Sequence, residues 1–194
     1  MMMLRNLSGK RITLASGSPR RRELLKGLEL DFEVIVRETD ESFPADLKAE
    51  QIALHVASAK ADAFNHDLAS DQIVITADTV VWINDHVLNK PSSRDEAIAM
   101  ITELSGNEHH VYTGVCIRTK EKNLLFYDNT KVTFTSMTAS EIAHYVDEYK
   151  PLDKAGAYGA QDWIGLVGIQ KLEGSYFNVM GLPVHLVYAH LKNF

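Results

Sequence analysis

Ile73-Val74-Ile75-Thr76-Ala77-Asp78-Thr79-Val80-Val81-Trp82-Ile83 is the stretch that decides the fold. Branched and aromatic residues dominate it, and such residues suit a pleated, buried surface. This composition predicts a long strand over Ile73–Ile83. Asn84-Asp85 follows, a two-residue turn pair, and then His86-Val87-Leu88. That pattern predicts a hairpin. Asp78 does not suit this run, because a carboxylate in an apolar strand is costly unless it is paired or bound to a cation.

Outward from that strand, strands and helices alternate. Upstream, Arg11 to Ala15 reads as a short strand and Pro19 to about Leu28 as a helix with Leu24, Leu25 and Leu28 on one face. Phe32 to Val36 reads as a second strand, and Ala49 to about Asn65 as a longer helix. Downstream, Ser93 with Glu96 forms a capping-box pattern opening a helix that buries Ala97, Ile101 and Leu104. Gly106 stops it. Val111 to Arg118 and Leu124 to Phe134 read as paired strands. Thr138 with Glu141 caps a helix that buries Ile142, Tyr145, Val146 and Tyr149. Pro151 to Gly165 reads as a loop, Val167 to Leu172 and Tyr176 to Met180 as strands, and Pro183 as the start of a terminal helix with Val184, Val187 and Leu191 inward. Crossovers mixed with hairpins imply an α/β fold with a mixed twisted sheet and flanking helices. One domain over residues 1–194 is expected from the length.

The bulk numbers narrow the function. The chain carries a net charge of −6, which argues against general nucleic-acid binding, since that needs a basic face. Its single cysteine, Cys116, permits no internal disulfide and no cysteine cluster for a metal. Met1 to Arg11 lacks the apolar core of a secretory leader. No apolar run reaches the length of a membrane span. A cytoplasmic, membrane-free protein is the expectation.

Four segments carry candidate chemistry. In Ser16-Gly17-Ser18-Pro19-Arg20-Arg21-Arg22 a strand ends in a small-residue turn that leads into a helix. Free N–H groups, hydroxyls and arginines there suit a phosphate. The plainer reading makes Ser18 an N-cap and the arginines a solvated face. Asp78 can hold a divalent cation on a rigid strand, or else point to water. Glu38, Asp40 and Glu41 offer further metal oxygens or a base, or else form a surface loop. Lys60 and Lys90 serve as point charges for phosphate, or are exposed lysines. In the glycine-bearing loop, Gln161 has an amide that can read a base edge, or it belongs to a structural turn. His109 and His110 point to opposite faces of a strand, and the eight histidines form no zinc pattern. No nucleophile elbow is present at Ser16-Gly17-Ser18-Pro19.

Taken in order, LASGSPRRRELL at 14–25, ASAKA at 57–61, TADTVV at 76–81, NKP at 89–91, LSGNEHHVYTGV at 104–115, PLDKAGAYGAQ at 151–161 and GSYFNVMGLP at 174–183 resemble the Maf family, the septum-formation-inhibitor-like nucleotide pyrophosphatases. The resemblance implies a fold related to the inosine-triphosphate pyrophosphatases, with a cleft between two lobes. It implies hydrolysis of a nucleoside triphosphate to a monophosphate and pyrophosphate, with Mg²⁺, or Mn²⁺ or Co²⁺ in its place, and a homodimer. Under it, Ser16, Ser18 and Arg20 bind phosphate, and Lys60 and Lys90 contact phosphate. Asp78 is the essential carboxylate, with Glu41 as its acidic partner in metal binding or catalysis. Arg21, Thr79 and Gln161 match the specificity positions of the dTTP- and UTP-directed branch. The branch acting on 7-methyl-GTP resembles SPW, DQ and Glu at those places. Asp40 replaces a more usual Glu, and Ala160 and Asp162 replace Ile and Gly beside Gln161. Those two changes and Trp163 are expected to bear on the base pocket. Two other functions compete with this one. One is a pyrophosphatase of modified pyrimidine nucleotides. The other is a nucleotide-binding regulator of septum formation that works through a protein partner.

Overall fold

The computed structural model describes residues 4–194. The reading of the first residues as lacking a leader lies, for Met1 to Met3, outside the described residues. The long strand is present as β3, Gln72–Ile83. Asn84 and Asp85 take left-handed φ values of 46° and 61°, as the tight hairpin requires. They turn the chain into β4, His86–Leu88, which pairs antiparallel with the end of β3.

Around β3 the sheet is mixed. β1 (Arg11–Leu14) runs parallel to it, and β2 (Phe32–Val34) runs parallel to β1. β5 (Glu108–Arg118) lies antiparallel on the other edge, followed by β6 (Asn123–Phe134) and β7 (Ile169–Glu173), giving seven strands. β1 pairs with β3 only as far as Ile75, and β4 takes up the same edge only at Val81. Between them one edge of β3 has no strand beside it, and Asp78 and Thr79 lie in that gap.

Side chains alternate across a strand, so β3 serves two faces. Thr76 and Val80 face α2 (Glu50–Asp62), where Thr76 Oγ1 donates to the Ala57 carbonyl at 2.6 Å, and on the same face Val74 packs with Phe64 and Leu68 just beyond that helix. On the other face Ile73, Ile75 and Ala77 join a core built with α1 (Pro19–Lys26) and the terminal helix. Val81 and Ile83 join a second core with α3 (Arg94–Leu104) and α4 (Ala139–Tyr149). These two cores are the lobes, and Thr79 falls between them.

Several expectations need correction. Tyr176–Val179 is a short helix, not a strand, preceded by another, Trp163–Gly168, where a loop and then a strand were expected. They are α5 (163–168) and α6 (176–179). The run around Tyr176 has strand-like composition, but Ser175 Oγ caps it by accepting from Asn178 N. Asn178 is fully buried, and its Nδ2 donates to Val111 O and Thr130 Oγ1 at 3.0 Å each. This tertiary network overrides propensity. In α5, Gly165 hides the helical pattern, yet a Cβ there would lie 1.9 Å from the Ala160 carbonyl. Tyr149 is exposed rather than buried and stacks on Tyr145. Glu96 does not close a box on Ser93. Its carboxylate instead accepts from the N–H and hydroxyl of Ser92 at 2.6 Å. The Thr138–Glu141 box is complete, Gly106 has φ of 73° after α3, and α7 (Val184–Leu191) closes the chain. Among the described residues no helix is long and apolar enough to cross a membrane.

Candidate active site

The gap beside β3 opens into a cavity of about 420 Å³ lined from both lobes. Ser16, Ser18, Arg20, Arg21, Glu41, Lys60, Asp78, Thr79, Lys90 and Gln161 all line it. The sequence candidates thus meet in one place, with two exceptions. Glu38 and Asp40 are exposed and lie off the cavity, and Asp40 is spent on the Ser42 N–H at 2.8 Å.

On the α2 side, charges alternate. Lys60 Nζ lies 2.8 Å from Asp78 Oδ1 and 2.9 Å from Glu41 Oε1. Lys90 Nζ lies 3.3 Å from Glu41 Oε2. Burial pushes the Glu41 pKa up, but the two lysines outweigh it and hold the carboxyl below its ordinary value. α2 reaches this close because Gly114, opposite Asp78 on β5, has no side chain. A Cβ there would stand 2.5 Å from the Ala53 backbone.

On the α1 side, Ser18 caps the helix and Pro19 occupies its first position. Arg21 reaches across: its Nε donates to the Gly181 carbonyl at 2.8 Å and its Nη2 to Thr79 Oγ1 at 3.1 Å. Burial lowers the Arg21 pKa, the Asp78 charge opposes that, and Arg20 adds to it. A guanidinium remains charged under such a shift. Both plain readings of the turn hold in part. Ser18 is an N-cap, and Arg22 is solvated, while Arg20 and Arg21 face the cavity.

Besides Arg37, whose guanidinium is paired with Asp67, two further charges at the cavity were not singled out from the sequence. Asp153 and Lys154, in the loop after α4, line the cavity opposite Arg20. Arg20 Nη1 lies 3.2 Å from Asp153 Oδ2, so one ion pair spans the mouth. Lys154 Nζ holds the other Asp153 oxygen at 2.8 Å. The only signal for them was a charged pair in a glycine-bearing loop. Asp162 and Trp163 do not line the cavity. Asp162 accepts from the Tyr145 hydroxyl at 2.8 Å, Trp163 packs on His144, and Ala160 is buried in the core. These departures from the family pattern are absorbed into the interior.

Asp78 and Glu41 present hard carboxylate oxygens to one shared cation, at present the Lys60 ammonium. Among the described residues no third carboxylate, histidine or cysteine joins them. Mg²⁺ is commonly held by one or two carboxylates with water and substrate phosphate completing the shell, so the residues fit such an ion.

A family profile described as Maf-like protein matches residues 11–194. A protein of Parabacteroides distasonis named dTTP/UTP pyrophosphatase is 50% identical, over 99% of this chain and 100% of its own. One of the same name from Flavobacterium psychrophilum is 46% identical, over 99% of this chain and 98% of its own. The Ham1 protein of Staphylococcus aureus shares the fold at 16% identity, with a TM-score of 0.53 over 95% of this chain and 99% of that one. That is the fold which the resemblance implied. A cavity that gathers the motif residues from both lobes, and a profile that spans the chain from β1 to its end, lead to one conclusion: the chain belongs to the Maf family.

Proposed function

We propose that this chain hydrolyses dTTP and UTP to the nucleoside monophosphate and pyrophosphate. One observation carries the reading: the Asp78–Lys60–Glu41–Lys90 row faces Arg20, Arg21 and the Ser16–Ser18 turn across a single cavity. A triphosphate entering it meets the N-terminus of α1, the Ser16 and Ser18 hydroxyls and the cations Arg20, Arg21, Lys60 and Lys90.

Ser16 and Ser18 hold the phosphate chain, aided by Arg20. Asp78 and Glu41 would hold the divalent ion, which supplies charge neutralisation at the phosphate and a more acidic bound water. Water oxygen bonds to the α-phosphorus, and the bond to the bridging oxygen toward the β-phosphorus breaks. The water proton passes to the carboxylate pair, where Lys60 engages only Oδ1 of Asp78 and leaves Oδ2 to accept. The electron pair leaves with pyrophosphate, and Lys60, Lys90 and Arg20 offset its charge. Arg21, Thr79 and Gln161 meet the nucleoside. The same proposal includes a cytoplasmic location and a homodimer, the dimer supported by the exposed Leu166, Val167, Tyr176 and Phe177 on α5 and α6. Light scattering on the purified chain tests the dimer.

The activity test is pyrophosphate release from dTTP, UTP, CTP, GTP, 7-methyl-GTP and ATP, with Mg²⁺ and with chelator. Fast release from dTTP and UTP, abolished by chelator, is expected. A purine preference overturns the substrate assignment, and no release from any of them overturns the reaction. Arg21→Ala and Gln161→Ala should each alter the ranking of bases, and an unchanged ranking in both removes those residues from the base pocket.

A further inference from the structure

We infer that Thr113, a residue buried beneath the cavity, fixes the direction of hydrogen bonding at Thr79 and thereby selects bases that carry an N3–H. The inference rests on the proposed reading that a pyrimidine nucleotide occupies this cavity, and it adds the atom-level reason for the choice among pyrimidines.

A threonine hydroxyl has one proton and two lone pairs. Thr113 is fully buried, and its Oγ1 donates to the Asn178 carbonyl at 3.0 Å. That carbonyl cannot drift, because the Asn178 side chain is tied to β5 and β6. With its proton used, Thr113 meets Thr79 Oγ1, 2.9 Å away, as an acceptor. Thr79 is therefore the donor in that pair. Thr79 also accepts from Arg21 Nη2 at 3.1 Å. Its oxygen is left with one lone pair and no proton to offer.

Thr79 lines the cavity, while Thr113 does not. Gly181 keeps the space beside the oxygen open: a Cβ there would come within 3.4 Å of Thr79 Oγ1. What Thr79 presents to a ligand is an acceptor. Uracil and thymine have an N3–H that fits it. Cytosine has a lone pair at N3, which would face the Thr79 lone pair. The opposite direction, Thr113 donating to Thr79, would give up the buried bond to Asn178. Thr113 is thus a positioning residue that acts through Thr79.

The test measures kcat/KM for UTP and for CTP in the full-length chain and in T113V and T113S. Valine removes the acceptor, so the Thr79 proton can turn into the cavity and donate to cytosine N3. The UTP-to-CTP ratio should fall roughly 10-fold in T113V, the size of one hydrogen bond, and T113S should restore it. A merely structural role would slow both substrates together. Should T113V fail to fold, the unmodified protein with N3-methyl-UTP decides: a loss of roughly 10-fold or more against UTP is expected, and equal use overturns the inference. A parent chain that prefers UTP, combined with an unchanged ratio in T113V, overturns this inference alone. A parent chain with no preference for UTP over CTP also overturns this inference and leaves the pyrimidine reading standing, whereas a purine preference or no release from either substrate overturns that reading.

Discussion

Lys60 of α2 and Asp78 of β3 are joined by a 2.8 Å ion pair in which both side chains are largely shielded, at 13% and 15% exposure. The pair stands where one edge of β3 is left open between β1 and β4. A charged strand residue is tolerated there because a cation meets it on one side and the cavity on the other.

Asp78→Asn keeps the side-chain volume and an acceptor for Lys60 but removes the charge. Pyrophosphate release should fall about 100-fold or more, as for loss of an acid–base group. Circular dichroism should show an unchanged fold. Normal turnover in the variant would remove Asp78 from the chemistry.

Gly114→Ala should damage the site from a distance. The added Cβ would lie 2.5 Å from the Ala53 backbone, so α2 must move off the sheet and carry Lys60 away from Asp78. A stability loss of about 1–3 kcal/mol is expected from overpacking, with a larger proportional loss of activity. Denaturant titration beside an activity assay checks it. A variant with parental stability and turnover would show that the helix yields without cost.

Asp153→Asn should tighten substrate binding. Asp153 competes with phosphate for Arg20 and Lys154, and those two charges hold its pKa down against the upward push of burial. Released, both cations face the triphosphate. KM should drop about two- to fivefold, the range for a partly exposed ion pair, while Arg20→Ala should raise it. A higher KM in Asp153→Asn would contradict the competition.

His109 makes stability depend on pH. Its ring is buried, Nε2 meets the Tyr158 hydroxyl at 2.8 Å, and Nδ1 has no partner among the described residues. Burial chiefly, and His110 secondarily, push its pKa down to about 3. Between there and the ordinary value of 6.5 the unfolded chain binds a proton that the folded chain refuses. Stability should therefore fall as pH falls through this window, by up to about 1.4 kcal/mol per pH unit from this group. His109→Gln should flatten the slope of unfolding free energy against pH by that amount. An identical slope in the variant would place the proton uptake elsewhere.

Much of this was legible in the chain alone. The β-prone composition of β3, its Asn84-Asp85 turn and the Thr138 cap are local signals, and local signals survive into the fold. The site residues were legible as a motif set in order, with Asp78 marked by its misfit in an apolar strand. Residue type alone did not separate Glu38 and Asp40 from Glu41, which the family resemblance singled out, because which of three neighbouring carboxylates turns inward depends on where Lys60 and Lys90 stand.

By itself the sequence determined the class of the fold, the order of its strands and helices from β1 to α4, and the residues proposed to handle a triphosphate. Composition, periodicity and side-chain chemistry are properties of short stretches. Only the tertiary structure decided that α5 and α6 are helices, since their hydrogen bonds run through Asn178 and their packing through Gly165 to distant parts of the chain. It alone placed Asp153 against Arg20, 133 residues apart, and Thr113 beneath Thr79. Such pairings arise where two cores meet, because the position of each partner is set by packing that neither stretch contains.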